Sequence, residues 1–451
     1  MEKSKNTSQK WSMIIILSSI TSALAGFLFG YDTVVISGAE LKIQALWNLS
    51  PQLHGFVTAS ALYGTVVGAL IGIWPANHFG RKITLLIIAL IYVVSSLGTA
   101  FAPEVYSFVF MRFLGGLAIG ASTVVAPLYI AEISPPQYRG RLAGMFQLNV
   151  VLSMVIAYIA NSLIAGMGEH DWRWMLGMAA IPSIIYTICC LFIPESPRWL
   201  ISIKNNTTEA TSVLKRFYPT ETPEQIENIV ATIKNETQSK LSNEKFWSWR
   251  LHLPIFLAIL IALFNQASGI NAVLYFAPRI FELTGLGEKA ALLQSIGVGV
   301  TFLIFTAVGV ALIDRLGRKT LLYIGGVGYV ISLALIAWGF AYQYYVIIPP
   351  CIFLFIASHA IGQGTVIWVL ISEIFPNQFR AQGQAVGSFT HWLCAAVITT
   401  VFPSLVTNFS PSYVFMFFCF MMIIQLFWIK YMVVETKGIP LEEVQKKLGI
   451  I

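Results

Sequence analysis

Ala131-Glu132-Ile133-Ser134-Pro135 with Arg139, and Ser372-Glu373-Ile374-Phe375-Pro376 with Arg380, set glutamate, proline and arginine at one spacing twice, 241 residues apart. Gly80-Arg81-Lys82 recurs as Gly317-Arg318-Lys319 at an offset of 237, and Glu195 recurs as Glu435 at 240. Three charged sites at nearly one offset argue for two copies of one unit. The repeat stands out because charge is scarce: 11% of the 451 residues are charged and 57% are apolar. That is about half the charged share of a soluble domain.

Outward from these stretches, apolar runs of membrane-spanning length predict twelve helices, at roughly 13–38, 54–76, 83–102, 105–131, 142–165, 173–194, 253–283, 290–313, 320–341, 346–372, 380–405 and 412–434. Six precede and six follow one long polar interruption. The expected fold is an all-α membrane protein of twelve transmembrane helices in two six-helix bundles, with a short cytoplasmic helical segment between them. The expected divisions are a bundle at 1–194, a linker at 195–252, a second bundle at 253–434 and a tail at 435–451. Duplicated membrane halves are an organisation of transporters, which place their site at the repeat interface near the midplane.

The net charge of +7 would suggest a nucleic-acid partner in a soluble chain. Here 23 of the 28 Lys and Arg fall on one side of the predicted spans, so no nucleic acid is expected. The positive-inside rule instead puts both termini and the linker in the cytoplasm. Lys42, Arg173, Arg279 and Lys289 fall in outer connections, and Arg112 lies within a span. The five cysteines, all in or at apolar runs, show no metal-ligand spacing, so neither a disulfide framework nor a cofactor is expected. The first apolar run exceeds a signal-peptide core and reads as the first membrane helix. About 17 residues follow the last span, too few for an output domain of a nutrient sensor. No nucleophile–base pair stands out, so an enzyme is not expected.

Asp32 in the first span and Arg112 in the fourth are charges at depths where an isolated one costs at least about 2.5–3.5 kcal/mol, so each should face a partner or a water-filled cavity. Each is the other's natural partner. A carboxyl group that gains and loses an arginine neighbour has a pKa that moves, which is a proton switch. A permanent ion pair between helices is the alternative.

Gln147 in the fifth span and Asn265, Gln266 and Asn271 in the seventh are interior amides. Five residues separate Gln266 from Asn271, about 140° on an ideal helix, so they would not share a face. A break at Gly269 would let both point at one midplane site. Amides offer donors and acceptors suited to a polyhydroxylated neutral substrate, and indoles offer an apolar face with one N–H. Trp368 follows Gly362-Gln363-Gly364, and Trp392 follows His391. Tyr275 and Gly364 complete the candidate substrate site, with His359 as a further hydrogen-bonding residue near the cavity. Interhelical hydrogen-bond glue is the other reading of these amides. Arg81, Glu132, Arg139, Glu195, Arg198, Arg318, Glu373, Arg380 and Glu435 gather at expected cytoplasmic helix ends. There they could pair across the bundles as an inner gate shuts, or serve as topology signals alone.

The chain resembles the sugar porters of the major facilitator superfamily over nearly its whole length. The resemblance is carried by Gly30-Tyr31-Asp32 with Val35-Ile36-Ser37-Gly38, by Asn77 before Gly80-Arg81-Lys82, by Pro194-Glu195-Ser196-Pro197-Arg198-Trp199-Leu200, by Gln266-Ala267-Ser268-Gly269-Ile270-Asn271, by Asp314-Arg315 before Gly317-Arg318-Lys319, and by Glu435-Thr436-Lys437-Gly438. It implies alternating access by two bundles around a central monosaccharide site. Gln147, Gln266, Asn271 and Trp368 would contact sugar, and Asn265 stands at a position usually glutamine. It also implies proton coupling at Asp32 and Arg112, because bacterial xylose–proton symporters carry aspartate at this place and passive animal glucose facilitators carry asparagine. Phe302 replaces a sugar-binding asparagine, His391 an asparagine or glutamine, Thr365 a proline, and Val434-Glu435 a Pro-Glu. The resulting expectation is a proton-coupled monosaccharide symporter of a bacterial inner membrane, acting as a monomer in the lipid bilayer, with a passive facilitator as the alternative.

Overall fold

The structure is a computed structural model that describes residues 12–134, 139–238, 246–376, 378–439 and 441–450. Twelve described helices are long and apolar enough to cross a membrane. They are α1 (Met13–Gly38), α2 (Pro51–Ile71), α3 (Arg81–Ala100), α4 (Val105–Ile133), α5 (Gly144–Ile164), α6 (Asp171–Phe192), α7 (Trp249–Tyr275), α8 (Glu288–Leu316), α9 (Arg318–Ala341), α10 (Tyr345–Ile374), α11 (Arg380–Asn408) and α12 (Pro411–Met432). Six belong to each bundle. Ser-Pro pairs open several helices, since serine caps a free N–H and proline needs none. The hydroxyls of Ser50 and Ser196 accept from the amides of Leu53 and Trp199 at 3.3 and 3.2 Å.

Lipid offers helices no hydrophobic gain on association, so close contact of small residues holds them. A Cβ at Gly116 of α4 would stand 1.9 Å from the Ala61 carbonyl oxygen of α2, and one at Gly30 of α1 would stand 1.9 Å from that of Val150 on α5. Backbone packs directly on backbone. The two halves meet along two seams, α2 with α11 and α5 with α8. The internal repeat exchanges these seams, because α8 is the second-half counterpart of α2, and α11 that of α5.

Two irregularities shape the interior. Gly269 takes φ +84°, so the helix His252–Ala267 stops and a new one resumes at Ile270–Tyr275, followed by Ala277–Glu282. In α10 a π-helical turn spans Ala360–Gly364. There the Thr365 hydroxyl donates to the Ala360 carbonyl at 2.6 Å, satisfying an acceptor that the wider turn frees.

The linker forms the amphipathic helices Pro197–Ser202, Thr207–Phe217 and Pro223–Gln238. Ala210, Val213, Leu214, Phe217, Ile226, Val230 and Ile233 turn inward and share one apolar core with Ile130 and Ile133 of α4 and Cys190 of α6. The side that carries this linker is called the linker face below.

Candidate functional site

Asp32 and Arg112 meet as α1 crosses α4, with Arg112 Nη1 donating to Asp32 Oδ1 at 2.5 Å. Their side chains are 12% and 3% exposed. This single hydrogen bond leaves Asp32 Oδ2 and Arg112 Nε and Nη2 buried without a partner. A permanent structural pair in a low-dielectric interior usually has its remaining lone pairs and protons satisfied. This one is half-satisfied, which suits a pair that is remade during function. Tyr92 and Tyr275 flank it within electrostatic reach. Tyr275 stands one turn after Asn271 in the helix Ile270–Tyr275, between the amides and the ion pair's field.

The amides of α7 form a chain. Gln266 Nε2 donates to Asn265 Oδ1 at 2.9 Å and lies 3.2 Å from His391 Nε2, while Asn271 Nδ2 donates to Gln266 Oε1 at 2.8 Å. The break at Gly269 is what joins residues that a continuous helix would turn apart. Aromatic rings close the group: Trp368 lies 5.2 Å from His391, His391 4.7 Å from Trp392, and Trp392 5.2 Å from Phe29 of the first half, centroid to centroid. Asn265, Gln266, Asn271 and Trp392 are buried. Gln147 is half-buried on α5 and makes no hydrogen bond to a described residue. Gly364 backs onto His359, where a Cβ would stand 3.2 Å from its Nε2. His359 pairs through Nδ1 with the Tyr329 hydroxyl and packs edge-on to Phe302 at 5.5 Å.

On the linker face the repeat is obeyed atom by atom. Arg81 grips Glu132 with two hydrogen bonds, of 2.9 and 2.8 Å, and Arg318 grips Glu373 with two, of 3.0 and 2.8 Å. Glu195 accepts from the amides of Arg81 and Lys82, and Glu435 from those of Arg318 and Lys319. Gly80 and Gly317 take φ +94° and +95°, and a Cβ there would stand 2.3 or 2.5 Å from the facing carboxylate. Glycine is required at both. Arg81 and Arg318 thus pair with Glu132 and Glu373 of their own halves. Arg380 donates to the Ser372 carbonyl at 2.8 Å, Arg198 is half-buried on the first linker helix, and the Arg139 side chain lies outside the described residues. Burial holds the Glu195 carboxyl above its ordinary pKa despite its backbone hydrogen bonds. At Glu435 burial acts the same way, but the amides of Lys437, Arg318, Lys319 and Thr436 outweigh it and hold the carboxyl below.

Besides the Phe29–Trp392 contact, several contacts that join the halves lie toward the opposite face. A Cβ at Gly55 of α2 would stand 1.8 Å from the Thr400 carbonyl oxygen of α11. The Tyr63 hydroxyl is 3.0 Å from Thr400 Oγ1, and the Tyr158 hydroxyl donates to the Leu274 carbonyl at 2.9 Å. Beside them lies a polar cluster absent from the sequence expectations: Glu40, Gln44 and His54 of the first half around Arg279 of the second. Cluster members up to 239 residues apart have no common spacing. The one available signal was a cation, Arg279, in a connection that the charge bias would leave bare.

A family model described as sugar (and other) transporter matches residues 18–448. The chain is 34% identical over 441 residues to an arabinose-proton symporter of Bacillus subtilis, covering 96% of this chain and 94% of that protein. It is 35% identical over 434 residues to a D-xylose transporter of Levilactobacillus brevis, covering 94% of each. Among solved structures it is similar to the inward open xylose transporter XylE from E. coli, with a TM-score of 0.84 and 30% identity over 96% of this chain and 99% of that one. It is also similar to XylE bound to 6-bromo-6-deoxy-D-glucose, with a TM-score of 0.80 and 29% identity over 96% of this chain and 99% of that one.

Proposed function

Because the chain belongs to the sugar transporter family, a family of transporters and not of enzymes, we propose that it is a proton-coupled monosaccharide symporter that works by alternating access. The buried, half-satisfied Asp32–Arg112 pair carries this reading, and relatives named as sugar–proton symporters and xylose transporters support it. The monosaccharide sits against Gln147, Asn265, Gln266, Asn271, Trp368, His391 and Trp392, with Tyr275 linking that site to the ion pair and Gly364 leaving room behind Trp368. The linker face is cytoplasmic in the inner membrane, where the 1–194 and 253–434 bundles rock about the site as a monomer. Contacts gathered on the opposite face support an inward-facing state, in which the linker-face charges hold each half together and exchange partners when that side closes.

Protonation of Asp32 breaks its hold on Arg112 and lets the halves change their tilt with sugar bound. One proton entering across about 100 mV supplies about 2.3 kcal/mol, which permits roughly 40-fold accumulation. Asp32→Asn keeps the size and hydrogen-bonding capacity of the carboxyl but cannot exchange a proton. In proteoliposomes the parent should concentrate sugar and acidify the lumen, while the variant should exchange sugar without concentrating it. Accumulation that survives in Asp32→Asn would return the pair to a structural role, and a parent that only equilibrates sugar would be a facilitator.

A further inference from the structure

We propose that the short helix Glu40–Leu46 is a two-point ionic strap that holds the outer face, the side away from the linker, shut against the second half, with Arg279 carrying most of the hold. The helix belongs to the first half and lies between α1 and α2. Its side chains meet the second half in two places. At the first, Arg279 of the helix Ala277–Glu282 brings Nη1 to 3.1 Å from Gln44 Oε1 and 3.4 Å from Glu40 Oε2, with His54 Nδ1 of α2 at 3.3 Å. At the second, Lys42 Nζ stands 3.0 Å from Oε1 of Glu288, the first residue of α8. Glu40 and Gln44 are one helical turn apart and share a face, whereas Lys42, two residues from each, leaves on another side. One helix thus grips two separate segments of the other half.

Burial decides how the hold is divided. The Glu40 side chain is 0% exposed and that of Arg279 16%, whereas Lys42 and Glu288 are 31% and 51% exposed. A pair as exposed as the second shifts an equilibrium by about fivefold at most. Lys42 also keeps a partner when the face opens, because its Nζ reaches Asp171 of its own half at 2.5 Å, and Asp171 accepts from the Gly166 amide as well. Parting Lys42 from Glu288 therefore strands no charge. Glu40 differs, since its Oε1 is buried without a hydrogen-bond partner and His54 Nε2 makes no hydrogen bond to it. A guanidinium only donates, so His54 Nδ1 faces Arg279 as an acceptor and brings no charge. Arg279 is then the cation that balances Glu40. Taking it away in the closed arrangement leaves a buried carboxylate uncompensated, the costly way to break an ion pair, and opening the face lets water reach that carboxylate. The strap rests on the alternating-access reading, since the outer face must open for sugar to enter, but it acts with no sugar and no proton gradient present.

The test is the distance between spin labels at Phe101→Cys and Tyr342→Cys, exposed sites just past the outer ends of α3 and α9 and outside the strap. The labels are carried by full-length protein whose five native cysteines are replaced, with no sugar added. Arg279→Gln should raise the open-to-closed ratio by about tenfold or more, as loss of a hydrogen-bonded charge does. Glu288→Gln, which leaves Lys42 on Asp171, should raise it by only about two- to fivefold. Adding Glu40→Gln to Arg279→Gln should return the population toward the closed state, because the bare carboxylate is gone. A double variant as open as Arg279→Gln alone would show that charge is not what holds the face, and would overturn the strap. So would an unshifted distribution in Glu288→Gln, a change at an exposed residue that does not depend on the Arg279 variants folding. Sugar uptake is scored separately in proteoliposomes: a parent that carries no sugar would sink the transport reading while these label shifts stood.

Discussion

Gln266 is the hub of the amide chain, since it bonds Asn265 and Asn271 and faces His391. Truncating it, or Asn271, strands buried donors and acceptors that the bound sugar would otherwise complete. Gln266→Ala and Asn271→Ala should each weaken sugar binding by about 1–3 kcal/mol, read by calorimetric titration. Unchanged affinity in folded variants would move the site elsewhere. The two glutamates that accept from the Gly-Arg-Lys amides, equivalent in sequence, have pKa values shifted in opposite directions. Glu435, held below its ordinary pKa, contributes stability above the unfolded carboxyl pKa of about 4.3 that is lost as pH falls through the lowered value. Glu195, held above it, contributes stability in its protonated form, which is lost as pH rises through the raised value. As pH rises through the lowered value toward about 4.3, Glu435→Gln should therefore become more destabilising relative to the parent, and as pH rises from about 4.3 through the raised value Glu195→Gln should become less so. Melting temperatures in detergent across both ranges check both signs. At this scale the charged partners Asp32 and Arg112 were legible because charge in a span demands company. The amides were legible as residues but not as a chain.

Helices were read from apolar length, and their observed spans depart from the expected ones by a few residues because hydropathy records the lipid slab while caps and turns set the ends. The second expected span ran to 76, whereas α2 ends at Ile71 and a separate helix, Ile73–Phe79, continues it. Gly269 announced its break in α7, and Gly362-Gln363-Gly364 marked an irregular stretch in α10, where the form it takes, a π-helical turn with the Thr365 hydroxyl bonded to the Ala360 carbonyl, came only from the structure. The α2–α11 seam has no space for any side chain at Gly55. Gly55→Leu should wedge that seam and hold the outer face open, leaving sugar binding from outside but abolishing uptake. The distance between spin labels at Leu46→Cys and Leu283→Cys, both exposed sites, and transport in the same preparation test it, and normal uptake would show that the seam yields.

The whole molecule is two copies of one unit joined along two exchanged seams, and alternating access requires those seams to part. On the α5–α8 seam a Cβ at Gly299 would stand 3.2 Å from the Val155 Cα, close enough for a disulfide after small shifts. Val155→Cys with Gly299→Cys, in a protein whose five native cysteines are replaced, should lose uptake on oxidation and regain it on reduction. Uptake indifferent to oxidation of a verified crosslink would mean that this seam does not open. Much of this architecture follows from the sequence alone. Membrane length, the twelve spans, the duplication and the Glu/Arg repeat are properties of residue type and spacing, and a chain in lipid must satisfy its backbone within helices whatever its tertiary contacts. The sequence had allowed the linker-face charges to pair across the bundles. Tertiary structure alone decided that Arg81 and Arg318 grip Glu132 and Glu373 within their own halves, that a left-handed glycine turns Gln266 and Asn271 toward each other, and that Arg279 enters a pocket built from Glu40, Gln44 and His54. The reason is physical: spacing records which residues share a helix face, whereas contacts between halves depend on how two separately folded bundles tilt, and no periodicity in the chain encodes that angle.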